Sequence, residues 1–205
     1  MSWWERHVVP RLVELTCRGD EVDRFRAPVC AGLHGDVLEI GFGSGLNVAH
    51  YPPSVRRVGA VEPSELAWRL AADRVAGAGV HVDRVGLDAQ RIEAGDATYD
   101  CVLVTFTLCT IPDAAAALAE ARRLLRPGGT LHFAEHGLAP DEGVARWQRR
   151  LTPVQRRLAG GCHLDRPVVA TLERAGFGID QVEEGYAPVG PRVFGYVSHG
   201  RATAR

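Results

Sequence analysis

Several features that mark particular classes of protein are missing from this sequence of 205 residues. Its five cysteines are odd in number and include no pair at the C-x-x-C spacing, so we expect neither a disulfide framework nor a zinc site. With 24 basic and 25 acidic residues the formal charge is −1, which gives no electrostatic reason to expect nucleic acid as a partner. No apolar run reaches the roughly 18 residues that a membrane-spanning helix needs.

The N-terminal stretch MSWWERHVVPRL also lacks the uncharged core of a secretory signal, because it carries Glu5, Arg6 and Arg11. These absences predict a cytoplasmic protein of a reducing compartment. Hydrophobic residues make up 46% of the chain, enough to bury a substantial core. The length fits one ordinary domain with a small appendage.

Strand-like and helical segments alternate along much of the chain. The predicted strands are 36–41, 56–63, 80–87, 99–108, 130–136, 179–186 and 192–198. One predicted helix begins at 46–50. The others cover 64–79, 113–126, 141–159 (broken near Pro153) and 166–175. This order predicts an α/β fold: a single doubly wound Rossmann-like domain with a mostly parallel seven-stranded sheet, an antiparallel hairpin at one edge and helices on both faces. We expect residues 1–33 to form a helical cover and residues 34–205 to form the domain.

Three glycines, Gly41, Gly43 and Gly45, follow the first predicted strand in VLEIGFGSG. Ligands of parallel sheets bind at the carboxyl ends of the strands, and a glycine loop that opens a helix suits an anionic group there. Glu62 ends the second strand, where a carboxylate can accept hydrogen bonds from both hydroxyls of a ribose. Asp88 follows the third strand, where its carboxylate can meet an adenine amine beside the Ala89 N–H. The three features together predict an adenosyl ligand.

Each feature also has a plainer explanation. The glycines can simply make a tight strand-to-helix turn, Glu62 can cap the next helix, and Asp88 can be an ordinary turn residue. A dinucleotide site is disfavoured, because Leu46 stands where G-x-G-x-x-G requires the last glycine. A P-loop is disfavoured because no lysine follows the glycines.

The sequence resembles the class I S-adenosylmethionine-dependent methyltransferases. The segments that carry the resemblance are VLEIGFGSG, AVEPS, GLDAQ, YDCVLVTFTL and EARRLLRPGGTLHFAEH. The resemblance spans about residues 35–199. It implies that the glycine loop holds the methionine part of the cofactor, Glu62 the ribose and Asp88 the adenine. Glu39, Pro63, Ala89 and Thr105 complete the predicted set of cofactor-binding residues, and no metal is expected.

A narrower resemblance joins the chain to a methyltransferase-like group that includes the animal alkyl-thiol S-methyltransferases. It is carried by TFTLCTIPD, LHFAEHG and AGGCHLDRP, which contain Leu108-Cys109 and Gly161-Cys162-His163-Leu164. The animal members have a hydrophobic membrane anchor ahead of the domain, which this sequence does not show. Because of that difference the fold and the cofactor carry over from the resemblance, but the acceptor does not. A small, lipophilic thiol is the leading hypothesis for the acceptor.

Candidate residues for the acceptor side follow the fourth and fifth strands. His136 is the first candidate for a base or an orienting group and His163 the second, although either imidazole can equally be bound to a loop carbonyl. Thr107, Cys109, Glu135 and Cys162 are predicted to line the acceptor pocket. The two cysteines are expected to be wall residues rather than nucleophiles, because methyl transfer needs no covalent enzyme intermediate.

The stretch 142–159 has apolar residues at helical spacing with arginines between them. Such a basic amphipathic helix can pack as a lid over the acceptor pocket, or it can make peripheral contact with an anionic membrane. The lid is the favoured alternative. The sequence does not indicate an oligomeric state.

Three classes of function therefore stay open. The leading hypothesis is S-methylation of a thiol, with C-, O- or N-methylation of a quinone, phenol or lipid-like molecule as its alternative. A nucleotide-dependent oxidoreductase is the second class, against which Leu46 argues. A non-catalytic module that binds S-adenosylmethionine or docks a partner is the third.

Overall fold

The computed structural model describes residues 3–205, so Met1 and Ser2 of the predicted cover lie outside the described residues. Its seven strands are, in chain order, β1 (Gly35–Ile40), β2 (Val55–Val61), β3 (His81–Gly86), β4 (Tyr99–Thr105), β5 (Leu125–His136), β6 (Phe177–Tyr186) and β7 (Tyr196–Ala204).

The strands form one sheet in the order β3-β2-β1-β4-β5-β7-β6. Strands β1 to β5 are parallel, whereas β7 runs antiparallel to β5 and β6 antiparallel to β7. The order reverses between β1 and β4, and open α/β sheets bind ligands at that switch point, beyond the carboxyl ends of the strands. The predicted mostly parallel seven-stranded sheet with an antiparallel hairpin at one edge is confirmed.

Nine helices accompany the sheet within the described part of the chain. They are α1 (Trp3–His7), α2 (Val9–Thr16), α3 (Asp20–Ala31), α4 (Glu65–Leu70), α5 (Ala72–Ala76), α6 (Ala114–Leu124), α7 (Glu142–Leu158), α8 (Val168–Arg174) and α9 (Arg192–Gly195). Among the described residues no helix has both the length and the apolar character needed to cross a membrane.

Apolar side chains cover both faces of the sheet. On one face, Leu118 and Leu124 of α6 and Leu172 of α8 are fully buried against the strands. On the other face, Phe25 and Val29 of α3 are buried, with the Phe25 ring against His199 of β7 and the Val29 carbonyl 2.9 Å from the His132 Nδ1 of β5. Helix α6 fits closely because its buried residues recur every three or four positions and most of them are alanines. The predicted placement of helices on both faces is confirmed.

Two polar side chains cap the helices that follow them. The Ser64 Oγ accepts a hydrogen bond from the Ala67 N–H at 3.2 Å and begins α4. The Asp113 Oδ1 accepts one from the Ala116 N–H at 3.0 Å and begins α6.

The segment after β1 differs from the prediction. It forms only a single 3₁₀ turn at Val48–His50 rather than the start of an α-helix. Pro52 and Pro53 follow at once, and a proline disfavours helical geometry at the residue before it. The glycine loop therefore presents its own N–H groups to a ligand, without the N-terminus of a helix behind them.

Two other boundaries were wrong. Helix α7 is continuous through Pro153. The proline has no N–H to donate to the carbonyl of Arg149, but Arg149 is exposed, so water can replace that hydrogen bond. The last strand begins at Tyr196 rather than at residue 192, because Arg192–Gly195 forms the short helix α9 after Pro191.

Candidate active site

The glycine loop lies against the segment that follows β4. Gly41, Gly43 and Gly45 have φ angles of +76°, +58° and +76°, which only glycine adopts without strain. A β-carbon on Gly41 would collide with the side chain of Thr107. The loop after β1 and the loop after β4 therefore touch across the switch point.

Glu62 lies where the sequence predicts it, at the tip of β2 and beside the glycine loop. Its Oε2 accepts a hydrogen bond from the Gly43 N–H at 2.7 Å, and its Oε1 accepts one from the Ser64 N–H at 2.7 Å. Burial raises the pKa of this carboxyl, and the two N–H donors act in the opposite direction. Each oxygen keeps a lone pair that can accept a ribose hydroxyl.

Glu39 and Thr105, two other predicted cofactor residues, belong to a buried polar network. The Asn47 amide donates to Glu39 and to the Thr105 Oγ1, both at 2.9 Å, and the Tyr51 hydroxyl also donates to Glu39. Arg26 of α3 donates at 2.9 Å to Asn47 Oδ1 and to Thr105 Oγ1. Burial raises the pKa of the Glu39 carboxyl to about 7 despite these donors.

Arg26 was missed by sequence reasoning, because nothing in its local pattern separates it from the arginines of a solvated helix face. It is only 4% exposed, yet its Nε is a buried donor without a hydrogen-bond partner. A buried guanidinium N–H without a partner is costly, so it indicates that an acceptor completes the network. The carboxylate of an amino acid is such an acceptor.

Helix α2 lies against the glycine loop. Glu14 of α2 hydrogen-bonds the Ser44 hydroxyl of the glycine loop and pairs with Arg74 at 2.7 Å. Arg74 also donates to the Ser44 carbonyl at 2.9 Å. Three surface grooves lie elsewhere, on α1 and α2, between α7 and α9, and beside residues 138–149. Glu14 and Arg74 therefore hold the glycine loop against α2 and α5.

Asp88 and Pro63 lie on the surface, and Ala89 is half-buried. The Asp88 Oδ1 accepts hydrogen bonds from the backbone and side-chain N–H groups of Gln90, each at 2.9 Å, and these bonds lower its pKa. This is the geometry of an ordinary turn aspartate. Contact of Asp88 with an adenine stays a prediction.

Glu135 is fully buried near the end of β5. Its Oε1 accepts hydrogen bonds from the N–H groups of Thr107 at 2.8 Å and Leu108 at 3.0 Å, and its Oε2 accepts one from Cys109 at 3.2 Å. Burial raises its pKa, against the effect of these donors. The carboxylate thus fixes the loop that follows β4, which begins where Phe106 takes a φ of +51°.

Three of the predicted acceptor-side residues come together. The metal-binding atoms of Cys109, His136 and Cys162 all lie within 4.8 Å of one another. The His136 Nδ1 lies 4.0 Å from the Cys162 Sγ. The hydrogen bond with Cys109, followed by the contact with His136, lowers the pKa of Cys162 well below its usual range, while the pKa of Cys109 is raised.

The imidazole of His163 lies against a loop carbonyl, which is the plainer of the two alternatives for this residue. Its Nδ1 lies 3.1 Å from the Cys109 carbonyl oxygen, and its backbone N–H donates to the same oxygen at 2.8 Å. Arg166, which the sequence did not single out, donates to the Ile111 carbonyl at 3.0 Å and to that of Leu108. Both side chains hold the loop after β4 in place.

Helix α7 presents an unexpected face to the protein. It buries Ala145, Gln148 and Thr152, whereas Trp147 is 57% exposed and Val154 is 54% exposed. Gln148 holds the helix through hydrogen bonds with Ala139 N–H at 2.9 Å and the Gly137 carbonyl at 3.0 Å. Most side chains of the predicted apolar stripe therefore face outward. Leu151 is the exception that packs against Cys109, Cys162 and Leu164, so the lid stays a prediction.

The crevice fits the methionine end of S-adenosylmethionine. The Arg26 Nε, which has no hydrogen-bond partner and lies 3.9 Å from the Asp23 carboxylate, suits its carboxylate. The buried Glu39 suits its ammonium, and the open space beside Gly43 allows close approach to the backbone. Fold and site together define the class of this protein.

The chain belongs to the class I S-adenosylmethionine-dependent methyltransferase family. Residues 38–133 match the family model described as a methyltransferase domain. The human thiol S-methyltransferase TMT1B is 34% identical over 177 residues, which cover 80% of this chain and 71% of the relative. The demethylmenaquinone methyltransferase of Mycobacterium tuberculosis is 40% identical over a shorter region of 74 residues, covering 34% of this chain and 32% of that protein.

A solved structure agrees on the fold. An S-adenosylmethionine-dependent methyltransferase from Thermotoga maritima superposes with a TM-score of 0.68 at 22% identity, covering 98% of both chains. At that identity the likeness extends to the fold alone.

Proposed function

We propose that this methyltransferase transfers a methyl group from S-adenosylmethionine to the sulfur of a small, lipophilic thiol. The likeness to TMT1B over 80% of the chain is the observation that carries the proposal. The buried pair Cys109 and Cys162, with Leu164 beside them, supports it, because the cluster they form is apolar.

When bound, the cofactor supplies a methyl group on a positively charged sulfur. The chain has to hold the cofactor, orient the acceptor and exclude water. Arg26, Glu39 and Glu62 are suited to the first task. Thr107 and Cys109 are suited to orient the acceptor. Thr107 touches Gly41 of the glycine loop, and the acceptor has to approach the cofactor from that side.

A thiol asks little of the protein in acid–base chemistry. With a pKa near 8.5, about a few per cent of a free thiol is ionised at neutral pH, whereas an alcohol needs a base. Meeting of a thiolate with a positively charged sulfur neutralises both charges, so a dry pocket favours the step.

The test is a panel of acceptors. Purified protein is mixed with S-adenosylmethionine and matched alkyl and aryl thiols, phenols, quinols and amines, and methylated products are identified by mass spectrometry. We expect methylation of the lipophilic thiols, with little turnover of the oxygen and nitrogen analogues of the same shape.

Two other results would change the assignment. Turnover of quinols or phenols without thiols would favour the second candidate, which the likeness to demethylmenaquinone methyltransferase supports over 74 residues. Binding of the cofactor without any methylated product would favour a non-catalytic module.

We further propose that α7 contacts an anionic membrane. Its outward stripe of Trp147, Val154 and Leu158 is flanked by exposed arginines, and the Trp4 Nε1 of α1 donates to the Leu158 carbonyl at 2.9 Å. Exposed apolar side chains between cations suit the interface of anionic lipids.

Replacing Val154 by glutamate tests this contact. We expect Val154→Glu to weaken binding to phosphatidylserine-containing vesicles by about tenfold or more, from the lost apolar burial and the added negative charge. Val189→Glu is the matched control, because Val189 is equally exposed at 67% but lies outside α7. Equal sedimentation of both variants with vesicles would contradict the proposal.

A further inference from the structure

We propose that Cys109, His136 and Cys162 form a zinc site with an open fourth position, at which the acceptor thiol binds as a thiolate. The inference rests on the proposed function, because it assigns that thiol its binding group. The expectation of no zinc site came from sequence spacing, which does not register ligands from three separate segments.

The donor set is that of a zinc site. Two cysteine sulfurs and one imidazole nitrogen bind zinc, and catalytic sites use three protein ligands with one position left for water or substrate. Tetrahedral zinc with bonds of about 2.0–2.3 Å holds its ligand atoms about 3.4–3.8 Å apart. The three atoms here lie within 4.8 Å of one another, so adjustments of about 1 Å close the site.

The fold holds each of the cysteines in place before a metal arrives. Glu135 fixes the Cys109 N–H at 3.2 Å, and His163 fixes the Cys109 carbonyl from the other side. Gly161, with a φ of +91°, lets the chain before Cys162 pass close to the Thr110 carbonyl, where a β-carbon would lie at 2.8 Å. Any larger residue at position 161 would move Cys162 away from Cys109.

The surroundings favour a reactive site over a purely structural one. Cys109, Cys162 and the fully buried Leu164 form an apolar cluster with Leu151 and Ala159 against it. Thr107, two residues before Cys109, touches Gly41 of the glycine loop. The open position therefore lies on the acceptor side of the cofactor crevice, in an environment with little water.

The chemistry balances without any further reactant. The acceptor thiol gives its proton to solvent as its sulfur binds the zinc. That sulfur then forms a bond to the methyl carbon, and the electron pair of the broken carbon–sulfur bond stays on the departing sulfur, which becomes neutral. Two cysteine thiolates already neutralise the Zn²⁺, so the third thiolate keeps its negative charge and its nucleophilicity. The neutral thioether product binds zinc weakly and leaves.

The first measurement is metal binding by the full-length chain. Reduced, metal-stripped protein is titrated with Zn²⁺ against a chromophoric chelator, and separately with Co²⁺, whose thiolate charge-transfer absorption reports sulfur ligation. We expect one metal per chain. Cys109→Ser, Cys162→Ser and His136→Ala should each weaken Zn²⁺ binding by at least about 100-fold, since loss of even an outer-shell partner costs 10–100-fold.

Matched controls separate ligation from folding. Cys101→Ser removes another buried cysteine, one that contacts His34 and Thr130 instead of the cluster, and should leave the Zn²⁺ affinity unchanged. Binding of S-adenosylhomocysteine by calorimetry verifies that each variant is folded. At saturating Co²⁺, each cysteine variant should lose about half of the thiolate absorption, because one of the two thiolates remains, and His136→Ala should retain it.

The outcomes for the metal and for the acceptor are distinguishable. If the protein methylates thiols but binds no stoichiometric metal, the zinc site is overturned and the proposed function stands. The same holds if Cys109 and Cys162 only oxidise to a disulfide. Stoichiometric zinc with methylation of oxygen acceptors alone overturns the thiol assignment. Equal loss of affinity in Cys101→Ser, or full thiol turnover after zinc removal, overturns the inference. Loss of thiol turnover on stripping and its recovery with Zn²⁺ supports both.

Discussion

Glu62→Gln should weaken the binding of S-adenosylmethionine and S-adenosylhomocysteine by about 10- to 100-fold. The change removes hydrogen bonds to a charged acceptor, each worth about 1.5–3 kcal/mol. It also places an amide NH2 against the Gly43 or the Ser64 N–H, both of which now donate to Glu62 at 2.7 Å. Isothermal titration calorimetry with the demethylated cofactor measures the effect without turnover.

Glu65→Gln is the matched control for this experiment. Glu65 is also an acid near the tip of β2, but it is exposed and its carboxylate pairs with Arg84 at 2.5 Å. The control should bind the cofactor as the unmodified chain does. An unchanged dissociation constant for Glu62→Gln would place the ribose elsewhere.

Glu39→Gln should raise the free energy of unfolding of the ligand-free protein more at alkaline pH than at acid pH, when each is compared with the unmodified chain. The difference should be about 3 kcal/mol at most. Burial raises the pKa of Glu39 from its ordinary value of 4.5 to about 7 in the folded state. Between these values the folded chain binds more protons than the unfolded chain, so stability falls as pH rises through this window. Below it both states are protonated, and above it the full penalty is present. The glutamine variant has no such penalty.

Urea unfolding at pH 4.5 and pH 8 measures the difference, with the approximate window set by the raised pKa. Glu93→Gln, an exposed acid, serves as the control and should show the pH dependence of the unmodified chain. Parallel stability curves for all three proteins would contradict a buried carboxyl that is neutral below pH 7. Because a bound ammonium favours the ionised form, cofactor affinity should also rise with pH across the same window in the unmodified chain alone.

The features that local sequence predicts well are those fixed by backbone chemistry. Three glycines that need positive φ, the caps Ser64 and Asp113, and the alternation of strands each follow from residues near in the chain. The acid at the tip of β2 could also be placed, because its position depends only on where the strand ends.

The features that sequence reasoning missed depend on contacts between distant segments. Arg26 is buried where α3 brings it against Asn47 and Thr105, and nothing in α3 itself indicates this. Glu135 was expected in a pocket, yet three backbone N–H groups from the neighbouring loop turn it inward. The outward apolar stripe of α7 was unforeseen because Gln148, a polar residue, anchors the opposite face.

The contact between Gly41 and Thr107 has a consequence for the order of events at the site. A β-carbon on Gly41 would lie 2.1 Å from the Thr107 Oγ1, so the loop after β1 cannot move toward the loop after β4 without displacing it. A ligand that shifts one loop would therefore change affinity at the other, and thermodynamic reciprocity would make the factor the same in both directions. Bound demethylated cofactor would thus change the affinity for the next acceptor through the contact between Gly41 and Thr107.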